Sequence, residues 1–90
     1  MEYYKKILSQ IEARRHFIYV VSESRNFFPP LGETFSLSVK DKDFKVKLDK
    51  QGRIWANANL IKNAICFKPY RVFIFTKKEN NRFMLACEHF

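Results

Sequence analysis

The sequence predicts an α+β domain that is mostly β: a small β-barrel with an N-terminal helix and one short internal helix. Three observations carry this expectation. Residues 34–48 alternate apolar and polar side chains on both arms of a hairpin. Runs rich in β-branched and aromatic residues recur at 16–21, 54–56 and 70–76, residues 82–88 pair back on the last of them, and polar turn signals separate the runs. Ninety residues without a linker or repeat make one domain, 1–90, with a helix over 1–15 and a barrel over 16–90.

Residues 2 to about 15 read as a helix. Tyr4, Ile7, Leu8 and Ile11 recur at helical spacing, while Lys5, Lys6, Glu12, Arg14 and Arg15 fall largely elsewhere. Such a helix packs over one end of the barrel, or it is a basic arm that reaches phosphate through Arg14 and Arg15. Phe17, Ile18, Tyr19, Val20 and Val21 form an aromatic and β-branched run, expected as a buried strand. Residues 22–26 are a polar loop. Pro29 and Pro30 lack amide donors and bar a central strand. The segment 27–32 is therefore an extended connection whose Phe27 and Phe28 plug the core.

Phe35, Leu37 and Val39 alternate with Ser36, Ser38 and Lys40; after Asp41, Lys42 and Asp43 the pattern resumes at Phe44, Val46 and Leu48. That is a hairpin with one apolar face, its other face carrying Lys40, Lys45 and Lys47 between serines. Gln51-Gly52 is the next turn signal, in a chain with two glycines. Ile54, Trp55 and Ala56 form a short strand, with Trp55 expected in the core. Asn57 or Asn59 caps a helix running to about residue 64 or 65, with Leu60, Ile61, Ala64 and Ile65 as its apolar stripe. Lys68-Pro69 ends it. Residues 70–76 make a strand, 77–81 a turn, and 82–88 the closing strand.

Composition narrows the partners. A net charge of +8 and a pI near 9.7 in so short a chain favour a polyanion: DNA, RNA or an anionic membrane surface. The bland alternative is solubility. Ten phenylalanines thicken a small core or serve a dimer interface. No apolar run reaches the ~20 residues of a transmembrane helix, and the charged N-terminus lacks a secretory leader, so the expected location is the cytoplasm. Cys66 and Cys87 read as free buried thiols. Neither His16 nor His89 has a carboxylate or cysteine nearby at metal-ligand spacing.

The segment Leu48-Asp49-Lys50-Gln51-Gly52-Arg53-Ile54 resembles the swapped-hairpin DNA-binding family of AbrB, MazE and MraZ. Those chains carry a strand, Asp, two variable residues, Gly-Arg and an apolar strand, then a short helix, a Lys-Pro-Gly-Asp turn and a final hairpin. Leu60 fits the helix leucine, Lys68-Pro69 the later turn, and Val72-Phe73-Ile74-Phe75 the strand after it, so the resemblance covers about 44–88. The chain departs from the family in having Ala56-Asn57 where Ile-Pro is common, no glycine at the helix end, and Tyr70-Arg71 where the turn has Gly-Asp. The longer N-terminal half is similar to the alternative arrangement, the single-chain DNA-binding pseudobarrel of plant transcription factors and some restriction-enzyme specificity domains.

The resemblance implies a DNA-binding protein, a transcriptional regulator or antitoxin-type module. It would contact duplex DNA through a basic strand face and the Gly-Arg turn. Arg53 is the leading candidate contact, because the resemblance places a DNA-contacting arginine there. Lys50, Lys47 and Lys45 line the same strand and turn, beside Lys40 across the hairpin, with Lys62 and Arg71 in second rank. For Arg53 the bland reading is a salt bridge to Asp49 that pins the turn. RNA is a variant partner, with Tyr3, Tyr4, Tyr70 or Trp55 stacking bases. The alternative function is a protein–protein interaction or specificity domain of a larger restriction or toxin system, signalled by an exposed cluster of Phe27, Phe28, Phe67 and Phe90. A homodimer fits either reading. Without a nucleophile elbow, a phosphate-cradling glycine loop or a metal-spaced cluster, no enzyme, cofactor, metal or small-molecule substrate is expected.

Overall fold

A computed structural model describes residues 2–56, 61, 65 and 67–88. The domain is mostly β. Among the described residues its strands are β1 (Glu2–Ile7), β2 (Phe17–Tyr19), β3 (Phe35–Val39), β4 (Lys42–Val46), β5 (Arg53–Trp55), β6 (Val72–Glu79) and β7 (Arg82–Glu88), with an α-helix, α1 (Gln10–Arg15), and a 3-10 helix, Ser22–Phe27, between them. Five strands form one sheet in the order β1-β6-β7-β3-β4, and β2 and β5 form a two-stranded ribbon. All pairs are antiparallel except β3 with β7.

The expected closed barrel is not formed. The five-stranded sheet is open, and an isolated bridge between Leu48 and Ile54 joins the end of β4 to the ribbon. The described strands all find their neighbours within one chain.

The N-terminus departs most from expectation. Residues 2–7 are a strand, and the helix begins only at Gln10. Two local causes decide this. Ser9 closes a capping box: its hydroxyl accepts from the Glu12 N–H while the Glu12 carboxylate accepts from the Ser9 N–H, which starts a helix there. The preceding residues also alternate, with Tyr4, Lys6 and Leu8 turned inward and Tyr3, Lys5 and Ile7 outward, and all six of β1 register against β6. Ile7 and Ile11, counted as helix stripe, are both exposed. His16, in the left-handed region at φ 63°, ends α1 and turns the chain into β2.

Other elements follow the sequence closely. Lys40 and Asp41 both take positive φ (49° and 67°), so the β3–β4 hairpin closes through a two-residue turn that fits the strand twist. Phe28 does plug the core, its ring meeting Tyr4, Phe35, Phe75 and Phe83. The polar loop is wound into the 3-10 turn, and β6 runs to Glu79, three residues further than its apolar pattern. Tyr70 adopts φ 68°, the left-handed conformation usually left to glycine. Of the internal helix, Ile61 and Ile65 are buried as expected; the rest of that segment lies outside the described residues.

The core is built from Leu37, Val39, Phe44, Val46, Leu48, Ile54, Phe73, Phe75, Phe83 and Leu85 with Phe28 and Phe35. Phe27 is half-buried against Tyr4, Phe28 and Phe83, and Phe67 against Phe73. The expected exposed phenylalanine cluster is therefore not formed by Phe27, Phe28 and Phe67; Phe90 lies outside the described residues. The aromatic surplus thickens the core.

Candidate nucleic-acid interface

Because Phe44, Val46 and Leu48 point into the core, Lys45, Lys47 and Asp49 point out. The antiparallel bridge from Leu48 to Ile54 then sets Lys47 beside Trp55 and Asp49 beside Arg53. The Asp49 N–H donates to the Arg53 carbonyl at 2.9 Å, in keeping with that register. The β2–β5 pairing continues the same side, placing Phe17 next to Trp55 and Tyr19 next to Arg53, with Ile18 and Ile54 on the core side. One outward face thus runs from Lys45 and Lys47 across Trp55 and Arg53 to Tyr19, with the exposed Lys50 and Gln51 at its end; Phe17 lies on the same side of the ribbon but is buried.

Asp49 organises the turn. Its Oδ1 accepts from the Gln51 and Arg53 N–H groups, each at 2.9 Å; its Oδ2 accepts from Arg53 Nε at 2.9 Å and Trp55 Nε1 at 2.8 Å. The Gly52 N–H donates to the Asp49 carbonyl at 3.0 Å, and Gly52 takes φ +83°, which its missing Cβ permits. Partial desolvation pushes the Asp49 carboxyl up. The Arg53 N–H, the Trp55 indole, the Gln51 N–H and the Arg53 guanidinium outweigh it and hold the pKa down at about 2.

Arg53 therefore does pin the turn by its bond to Asp49. Its guanidinium also lies 4.8 Å over the Trp55 ring and 5.7 Å over Phe17, whose rings stand 5.1 Å apart. Asp49 takes Nε, and the two Nη groups carry no hydrogen bond among the described residues. Trp55 is half-exposed on this face, so the expectation of a core tryptophan is corrected: the strand alternation that buries Ile54 turns Trp55 outward.

The other candidates scatter. Lys40 sits in the β3–β4 turn at the far end of the strand from Lys50. Arg71 precedes β6, its carbonyl accepting from the Leu8 N–H at 3.0 Å, at the β1 edge of the sheet. Lys62 lies outside the described residues. On the hairpin, Lys45 Nζ donates to Ser36 Oγ at 2.7 Å and Ser38 Oγ donates to Asp43. Sequence reasoning missed three residues. Phe17 and Tyr19, two apart, share a side, and that spacing was a readable signal. Arg25, a single arginine in a polar stretch, gave none; it donates to the Gln51 carbonyl at 2.8 Å.

No protein-family model matches the chain, and no curated protein does. Among solved structures it is similar to the N-terminal domain of Helicobacter pylori LlaJI.R1, with a TM-score of 0.81 at 13% identity, covering 99% of this chain and 88% of that one. Identity that low makes the likeness one of fold, and it spans both domains nearly end to end.

Proposed function

We propose that this domain binds duplex DNA through the outward face of the β4–β5 ladder, as a specificity module rather than a catalyst. The observation that carries this reading is the juxtaposition on one face of Lys45, Lys47, Lys50 and Arg53, with both nearby acids engaged: Asp49 by Arg53 and Trp55, Asp43 by Ser38. A strand ribbon of this kind supplies phosphate contacts from its lysines and leaves the arginine and the turn to reach base edges. The +8 charge supports the same polyanionic partner. The fold neighbour's designation has the form given to restriction-system proteins, which favours a specificity domain of such a system over a free-standing regulator. The Leu48–Ile54 loop, where the swapped-hairpin resemblance is densest, is the proposed contact segment.

The test is a mobility-shift titration of the full chain with random-sequence duplex, competed with single-stranded DNA and with RNA. Retardation that falls steeply with salt and resists RNA competition is expected. No retardation at low salt would sink the reading.

A further inference from the structure

We propose that Arg25 is a positioning residue for this contact: it clamps the Lys50-Gln51-Gly52 turn in the shape that presents Lys50 and Arg53. The inference rests on the DNA-binding reading above and adds to it a residue that does not itself touch the nucleic acid.

Arg25 projects from the 3-10 turn into the space beside Gly52. Its Nε donates to the Val20 carbonyl at 3.0 Å, and its Nη2 donates to the Gln51 carbonyl at 2.8 Å and the Tyr19 hydroxyl at 3.3 Å. The guanidinium also lies 5.7 Å over the Tyr19 ring. One side chain thus ties the end of β2 to the turn before β5. The Val20 N–H, donating to the Gly52 carbonyl at 2.8 Å, completes the link.

The two peptide units that flank Gln51 are each held. The N–H of the Lys50–Gln51 unit donates to Asp49 Oδ1; the Gln51–Gly52 unit accepts from Arg25 at its C=O and donates its N–H to the Asp49 carbonyl, and the two side-chain bonds are charge-assisted. The Gln51–Gly52 unit cannot turn without breaking one of its two bonds. Gly52 belongs to the clamp as well. A Cβ there would stand 2.3 Å from Arg25 Nε and 2.5 Å from Nη2, so the bare backbone is what lets the guanidinium lie flat against it. The space that the missing Cβ leaves beside Gly52 is occupied by this arginine. The side chains of Lys50 and Gln51 stay exposed, so the clamp orders groups that face solvent. Ordering them beforehand removes entropy that binding would otherwise lose.

The test is a fluorescence-anisotropy titration of a labelled duplex over a salt series, with amide hydrogen exchange on the same proteins. Arg25→Ala is expected to weaken binding about ten-fold, the effect of a lost hydrogen bond to a charged group, while keeping the wild-type salt slope. Lys50→Ala is expected to lower that slope by about one. Arg25→Lys cannot fork between the Val20 and Gln51 carbonyls and is expected to behave like Arg25→Ala. Faster exchange at the Val20 and Gly52 amides accompanies both variants. If Arg25→Ala does not fold, Arg25→Gln, able to hold one carbonyl but not both, carries the same comparison.

A reduced salt slope in Arg25→Ala would make Arg25 a phosphate contact and overturn the inference, as would wild-type affinity in that variant. A wild-type chain that binds no duplex overturns the parent reading instead. Unchanged exchange at Val20 and Gly52 in Arg25→Ala overturns the clamp whatever the DNA result.

Discussion

Arg53 and Trp55 both donate to one oxygen, Asp49 Oδ2, while the Arg53 guanidinium lies 4.8 Å over the Trp55 ring. The Asp49 carboxylate is thus the common support of the two side chains that dominate the candidate face. Its pKa falls from 3.8 in the unfolded chain to about 2 in the folded one. A carboxyl held lower when folded contributes stability that is complete above the unfolded value and lost as pH falls through the folded one. That contribution is about 2 kcal/mol. Asp49→Asn should therefore lower the urea midpoint at pH 7, and its deficit against the wild type should narrow between pH 4 and pH 2. An equal deficit at both ends of that range would show that the charge is not what holds the turn.

Phe28 gives the second prediction. It is 5% exposed, and its ring lies within 5.2 to 5.7 Å of Tyr4, Phe35, Phe75 and Phe83, joining the chain after the 3-10 turn to both β6 and β7. Pro29 and Pro30 stiffen the exit from it, so the backbone cannot collapse into the gap. Phe28→Ala should cost about 3–5 kcal/mol in urea unfolding. Phe27→Ala, at a half-buried ring, should cost less. The reverse order would mean that Phe27 is the true plug.

These two sites also show what could be read in advance. Alternation at 35–48 identified two of the seven described strands nearly to the residue, because period two on a half-buried sheet is unambiguous; the apolar run after the turn at 77–81 marked the closing strand at 82–88. The Asp49-Gly52-Arg53 spacing announced a carboxylate-anchored turn. The first fifteen residues misled because Tyr4, Ile7, Leu8 and Ile11 satisfy a helical period while Tyr4, Lys6 and Leu8 satisfy a strand period. The partner that decides between them, β6, is about seventy residues away. Arg25 was illegible for a related reason: its meaning comes from Gly52 and Gln51, which no local pattern joins to it.

Glu12 supports a third prediction. It is 3% exposed and fully engaged: it caps α1 with Ser9, accepts from the Tyr19 N–H at 2.7 Å and pairs with Lys6 Nζ at 3.2 Å. Burial raises the pKa of the neighbouring Tyr4 above 10.0, and the Glu12 charge raises it further. Glu12→Gln should lower the Tyr4 value part of the way and leave the larger, burial-driven portion, read by ultraviolet titration against Tyr4→Phe. A phenol held higher when folded contributes stability that is complete below the unfolded value of 10.0 and lost above it. The same variant should cost about 2 kcal/mol at pH 7, since it removes the charge that Lys6 meets. A Tyr4 pKa unmoved by Glu12→Gln would assign the whole elevation to burial.

The last prediction separates a defined interface from diffuse basicity. Lys45 and Lys47 stand on the outward side of the ladder, Lys47 beside Trp55, whereas Lys40 sits in the distant hairpin turn and Arg71 at the opposite edge of the sheet. All but Arg71 are exposed, so alanine at any of these lysines leaves the core untouched; Lys45 gives up only its bond to Ser36. Each phosphate contact removed lowers the salt slope of binding by about one. The Lys45→Ala/Lys47→Ala pair should therefore lower it by about two, while Lys40→Ala and Arg71→Ala leave it unchanged. If all four positions lower the slope equally, the +8 charge acts as a smeared field and the ladder is not the contact. If only the pair does, the phosphates run along β4 toward the Gly52 turn, which places Arg53 and the Trp55 ring where the groove begins.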